Sequence, residues 1–193
     1  MAEKQISKTR LVIIGGSSGS LEVLMKILPN LKDAFPVPII IVLHRNTVAD
    51  SGLTELLSSK TTLLVKEVDD KEIMDPACIY LAPPDYHLLA ETDGSLSLDD
   101  SEKVNYCRPS IDVSFISTAV AYRSGVVAIL LSGANADGAA GIKAVADRGG
   151  YTIVQDPEEA SVSYMPEQAL LTQAVASVKS TDEITAFLNR IIA

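Results

Sequence analysis

Ser17 stands in the middle of Gly15-Gly16-Ser17-Ser18-Gly19, a Gly-x-Ser-x-Gly turn directly after the apolar residues 11–14. Glycines on both sides let the backbone bend sharply and lift one hydroxyl out at the end of the preceding strand. Ser18 reads as the helix start behind the turn and Ser20 as a first-turn residue, which leaves Ser17 as the candidate nucleophile. A hydroxyl alone is a poor nucleophile. It needs an imidazole to take its proton and a carboxylate to fix the imidazole tautomer and stabilise the imidazolium. The chain has two histidines. His44 directly follows the apolar run 39–43, whereas His87 follows Pro83-Pro84 and opens a hairpin pattern, so His87 reads as a surface or packing residue. Asp137 lies a few positions beyond a third apolar run, 125–131.

The elements that must position these three groups follow from the apolar pattern. Each of the three runs is continuous rather than alternating, as expected for strands buried on both faces. Leu21, Leu24, Met25 and Leu28 recur at helical spacing after the first run, and Leu53, Leu56 and Leu57 do so within 51–59. Strands are expected over 61–68, 77–81, 151–154 and 174–178, and helices from Pro109, to about Arg148, after Tyr164, and over 182–192. Residues 87–91 and 95–98 flank Asp93-Gly94 and read as a hairpin. Strands alternating with helices give an α/β fold: a doubly wound, mostly parallel sheet with helices on both faces, made mixed by a small antiparallel hairpin. Ligands of such sheets sit beyond the carboxyl ends of the strands. If the three runs are neighbours, Ser17, His44 and Asp137 face one another. With no linker, repeat or low-complexity segment, a single domain over 1–193 is expected, with 1–9 frayed.

Composition narrows the class. A chain of 193 residues that is 47% hydrophobic supports a full core. No apolar run approaches the ~20 residues of a membrane span, and the N-terminus lacks a signal-peptide core, so no membrane insertion is expected. Cys78 and Cys107 make neither a disulfide framework nor a zinc spacing. No metal site and no cofactor are expected, and a reducing cytoplasmic compartment fits. The net charge of −9 argues against a nucleic-acid partner. Blander readings stand beside the triad. A Gly/Ser loop between strand and helix also cradles phosphate, although Gly-x-Gly-x-x-Gly and Gly-Lys-Ser/Thr are both missing. Asp137 on its own reads as a cap for the helix beginning near Gly138. The order Ser, His, Asp departs from the α/β-hydrolases, whose histidine comes last.

Several motifs occur together in order: Gly15-Gly16-Ser17-Ser18-Gly19, the strand end at His44, Tyr80-Leu81-Ala82-Pro83, Arg108-Pro109-Ser110-Ile111-Asp112, Leu130-Leu131-Ser132-Gly133, Asp137-Gly138-Ala139-Ala140-Gly141 and Met165-Pro166-Glu167-Gln168-Ala169. The ordered set resembles the catalytic domain of the chemotaxis receptor methylesterases, the protein-glutamate methylesterases. The resemblance implies Ser17 as nucleophile, His44 as base and Asp137 as the third member. It implies demethylation of glutamyl methyl esters, and deamidation of glutamines, on the cytoplasmic helices of methyl-accepting chemotaxis receptors. Backbone N–H groups at Ser18 and Ala134 are the expected oxyanion donors. The chain departs from the family pattern in three places. Ala134 stands where a methionine is usual, Arg45-Asn46-Thr47 replaces Met-Pro-Pro, and Cys107 stands where a histidine is common. The family's usual receiver domain is not expected here. The competing expectation is a non-catalytic adaptor that keeps the fold. Oligomeric state is left open.

Overall fold

The computed structural model describes residues 9–45 and 52–191. The expected frayed segment therefore lies outside the described residues apart from Thr9, as does Ile192 at the end of the last expected helix. Seven strands form one sheet: β1 (Leu11–Gly16), β2 (Ile39–Leu43), β3 (Leu64–Glu67), β5 (Cys78–Leu81), β8 (Val126–Leu130), β9 (Tyr151–Gln155) and β10 (Ser177–Lys179). Their spatial order is β10-β9-β8-β1-β2-β5-β3. Every pairing in this sheet is parallel. The chain starts at the centre with β1, builds outward through β2 to β3 and β5, then returns to β8 on the other flank. That reversal makes a topological switch beside β1, where α/β sheets bind ligands.

Among the described residues six α-helices cover the sheet: α1 (Ser20–Ile27), α2 (Leu53–Ser58), α3 (Ile111–Tyr122), α4 (Ala139–Asp147), α5 (Tyr164–Leu171) and α6 (Thr181–Leu188). Successive strand residues point to opposite faces, and β1 divides accordingly. Val12 and Ile14 join Leu24, Ile27, Ile184 and Phe187 from α1 and α6 on one face. Leu11 and Ile13 join Ile111, Phe115, Ile142 and Met165 from α3, α4 and α5 on the other. Both faces are thus buried, which is why β1, β2 and β8 read as unbroken apolar runs. Gly15 marks a close approach of α3 to β1: a Cβ there would lie 2.5 Å from Ile111 Cγ2.

One expectation is corrected. The hairpin of β6 (His87–Ala90) and β7 (Ser95–Asp99) does not make the main sheet mixed. It joins the two-residue β4 (Glu72–Ile73) in a separate antiparallel sheet, ordered β4-β7-β6. The hairpin lies against α3 instead: Ala90 N–H donates to Ser117 Oγ at 3.1 Å. Strand β4 has only two residues, too few to carry a period to read.

Candidate active site

Strand β1 is flanked by β2 and β8, so the three apolar runs are neighbours. The register pairs Gly16 with Leu43, and His44 N–H donates to the Gly16 carbonyl at 3.3 Å. Ser17 and His44 therefore leave adjacent strands at the same level. The elbow is held from β8's side. Ser17 N–H donates to Ser132 O at 2.9 Å, and Ser132 Oγ donates to Ser18 O at 2.7 Å. Gly19 closes the turn with φ 83°, the left-handed region that favours glycine. A Cβ there would also sit 2.7 Å from Ser132 Oγ.

The structure joins His44 to Asp137. Nε2 of His44 lies 2.7 Å from Asp137 Oδ2, and the carboxylate is fully shielded from solvent. Asp137 does not cap the helix beside it in sequence. It crosses to the N-terminus of α3, where it accepts from Ser110 Oγ at 2.8 Å, Ile111 N–H at 2.7 Å and Asp112 N–H at 3.0 Å. The bland expectation of a cap on α4 is thus replaced by a longer-range one. Asp112, from the first turn of α3, performs the reverse service: its Oδ1 accepts from Gly138 and Gly141 N–H at 2.9 and 2.7 Å. Each helix start is closed by a carboxylate belonging to the other, which suits the partial positive charge there.

The two carboxylates are pushed apart. Burial acts to raise Asp137, but the hydrogen bond from His44 and those from the N–H groups of Asp112 and Ile111 outweigh it, so Asp137 is held below the ordinary carboxylate range. Asp112 is pushed up to about 6, by burial first and by the neighbouring Asp137 charge, against the opposing N–H groups of Gly141 and Gly138. An ionised Asp137 requires His44 to carry its proton on Nε2, which leaves Nδ1 with a bare lone pair. In the familiar Ser-His-Asp template it is Nδ1 that faces the carboxylate; here the ring is used the other way round.

Nδ1 of His44 lies 3.7 Å from Cys107 Sγ. Burial and the Asp137 charge push the Cys107 thiol up, so it keeps its proton, while Asn135 Nδ2 donates to the sulfur at 3.4 Å. Ser17 Oγ makes no hydrogen bond among the described residues. The N–H groups of Ser18 and Ala134, both exposed, likewise have no acceptor there, and remain available to an oxyanion. Ser17 N–H, committed to Ser132, is not. Residues far apart in sequence thus gather here: ligand-type atoms of His44, Cys107 and Asp137 all lie within 4.8 Å of one another. No spacing in the sequence signalled this cluster. A cavity of about 450 Å³ opens beside it, lined by His44, Arg45, Asp85, Lys103, Cys107 and Arg108 among others.

His87 is buried and structural. Its Nδ1 accepts from Ser110 N–H at 3.1 Å and its Nε2 meets Glu102 O at 3.1 Å. It steadies the residue that caps α3 and also binds Asp137. The sequence reading missed the roles of Ser110, Asp112 and Ser132. Only Ser110 had a readable signal, as a serine three residues before the first turn's end in Pro109-Ser110-Ile111-Asp112.

A doubly wound protein that holds an imidazole on a helix-capped carboxylate, beside a glycine-flanked serine turn, is built on the plan of an α/β esterase. The family model described as CheB methylesterase matches residues 12–188, and this chain belongs to that family. It is 37% identical to a putative protein-glutamate methylesterase/protein-glutamine glutaminase of Leptospira interrogans, over 93% of each chain. It is also 37% identical to a protein-glutamate methylesterase/protein-glutamine glutaminase of Carboxydothermus hydrogenoformans, covering 88% of this chain but 51% of that protein. The crystal structure of the Thermotoga maritima CheB methylesterase catalytic domain superposes with a TM-score of 0.90 at 33% identity, covering 95% of this chain and 99% of that one.

Proposed function

We propose that this protein is a protein-glutamate methylesterase, with protein-glutamine glutaminase activity, acting through Ser17, His44 and Asp137. The observation that carries the reading is the 2.7 Å His44–Asp137 pair at the strand end next to the Ser17 turn. Family membership supports the reaction class. His44 Nδ1 takes the Ser17 proton as Oγ bonds to the glutamyl ester carbonyl carbon. The Ser18 and Ala134 N–H groups receive the developing oxyanion, commonly the largest single contribution in such sites. Methanol leaves with the proton returned from His44. Water, deprotonated by the same nitrogen, then releases the acid and restores Ser17. Asp137 holds the ring throughout.

The substrates in this reading are glutamyl methyl esters on the cytoplasmic helices of chemotaxis receptors, and this catalytic domain works in the cytoplasm. Among the described residues no helix is long and apolar enough to cross a membrane. The test is methanol release from a methylated receptor fragment. Wild type turns over, and Ser17→Ala lowers kcat by as much as ~10⁶; undiminished turnover by Ser17→Ala overturns the assignment. One observation favours a second reading, a non-catalytic adaptor: His44 Nδ1 meets Cys107, and Ser17 Oγ has no hydrogen bond among the described residues. A fluorophosphonate probe separates the two. An esterase is labelled at Ser17, and an adaptor is not.

A further inference from the structure

We propose that His44 and Cys107 form an inhibitory binding site for a zinc-class metal ion, set across the base of the active site. The inference rests on the esterase reading for its consequence, but not for the binding itself. Tetrahedral zinc holds sulfur at about 2.3 Å and imidazole nitrogen at about 2.0–2.1 Å, which sets the two ligand atoms roughly 3.6 Å apart. Cys107 Sγ and His44 Nδ1 stand 3.7 Å apart. The nitrogen facing the sulfur is the one with the bare lone pair, because Nε2–H is given to Asp137 at 2.7 Å. A carboxylate behind a ligating histidine is the usual outer support of a zinc site: it fixes the tautomer and raises the basicity of the coordinating nitrogen. Asp137 is itself locked by Ser110, Ile111 and Asp112, so the ring is held ready for an ion as firmly as for a substrate.

The rest of the first coordination sphere faces the cavity that His44 and Cys107 line together. Binding forms one metal–sulfur and one metal–nitrogen bond. Four of the roughly six waters of the hydrated ion leave, two staying as exchangeable ligands, and the Cys107 thiol proton passes to solvent. Two protein ligands with two exchangeable positions make a reversible site rather than a permanently filled structural one. A bound ion occupies the lone pair that must accept the Ser17 proton, so it stops turnover. Cys107, one of the three departures from the family pattern, thus provides a control that acts directly on the base.

The experiment reads binding and activity separately. The purified chain, stripped of metal with a chelator, is titrated with Co²⁺ as a spectroscopic stand-in for Zn²⁺. Wild type develops a thiolate-to-cobalt charge-transfer band that saturates at one ion per chain. Cys107→Ser abolishes the band, His44→Gln weakens the binding by roughly 10–100-fold or more, and Cys78→Ser leaves both unchanged. In parallel, Zn²⁺ lowers ester turnover of wild type at least about tenfold, reversed by chelator, while Cys107→Ser keeps its own zinc-free rate, as expected when a site ligand is lost. Absence of the band in wild type, or its persistence in Cys107→Ser, overturns the proposal. Folding of each variant is checked by circular dichroism. Absence of turnover in metal-free wild type would count against the esterase reading and leave the cobalt result standing.

Discussion

The molecule holds its two histidines in opposite ways, and the contrast separates the base of the proposed triad from a brace. At the open rim above β2, His44 commits one nitrogen to a buried carboxylate and leaves the other facing a thiol and a cavity. At the start of β6 in the small antiparallel sheet, His87 commits both nitrogens to backbone groups, one as acceptor and one as donor. A ring with two fixed partners cannot take a proton without breaking a contact. A ring with one fixed partner can. The difference comes from placement: His44 ends a strand at the switch point of the sheet, whereas His87 begins a strand that packs on α3. Both nevertheless serve the same assembly, because His87 holds Ser110, and Ser110 holds Asp137.

That contrast can be broken most sharply at His44. Replacement by Ala is expected to lower kcat for ester hydrolysis by as much as ~10⁶ in a protein that still folds, with a loss of stability of about 1–3 kcal/mol because Asp137 loses one buried partner. Asp137→Asn comes next. It should lower kcat by ~10⁴, since the amide supports the wrong ring tautomer, and stopped assays on methylated receptor fragment would measure it. His87→Ala inverts the pattern. It leaves a buried N–H without an acceptor and opens a void, so it is expected to cost about 2–4 kcal/mol of unfolding free energy in urea. Its kcat, measured well below the melting temperature, should fall by less than about tenfold. If His87→Ala instead removed turnover from a fully folded protein, the division between base and brace would fail.

The smallest effect concerns the paired aspartates. Asp112 is raised to about 6, above its value in the unfolded chain, so the folded protein binds the extra proton more tightly. Its contribution to stability is therefore greatest in acid and is lost as pH rises between roughly 4 and 6. Asp137, held low, behaves oppositely: its contribution is present above the unfolded carboxylate value and fades as pH falls through its folded one. Asp112→Asn keeps an oxygen acceptor for the Gly138 and Gly141 N–H groups but removes the charge. Relative to wild type it should gain roughly 1–3 kcal/mol on going from pH 4 to pH 7, read as a difference in thermal midpoints across that window. A wild-type-minus-variant difference that is flat with pH would show that Asp112 is not raised.

Much of this architecture could be read from residues alone, for a physical reason. A strand buried on both faces has to be apolar throughout, so 11–14, 39–43 and 125–131 declared themselves, and the polar residues ending them marked one rim. Choosing His44 over His87 followed from the same logic. Pairings between distant segments carried no such signal. The hairpin at Gly94 was legible as a hairpin, but its attachment to α3 rather than to the sheet depends on tertiary contacts such as Ala90 to Ser117. Asp137 looked like a cap for the nearest helix, and no local rule distinguishes that from capping a helix 26 residues away, which is what the Ile111 N–H bond does. The meeting of Cys107 with His44 spans 63 positions and lay beyond any spacing argument.

The exchange of carboxylates between α3 and α4 has one further effect. Ser110 caps one N–H of α3 from within that helix's own start, but the remaining first-turn N–H groups of both helices depend on a carboxylate that arrives only when the other has docked. The two segments therefore act as an interlock, closing together or not at all. An excursion that frees α4 carries Asp137 away from the imidazole in the same movement. Readiness for chemistry at the rim is in this way made a readout of whether that half of the protein is assembled.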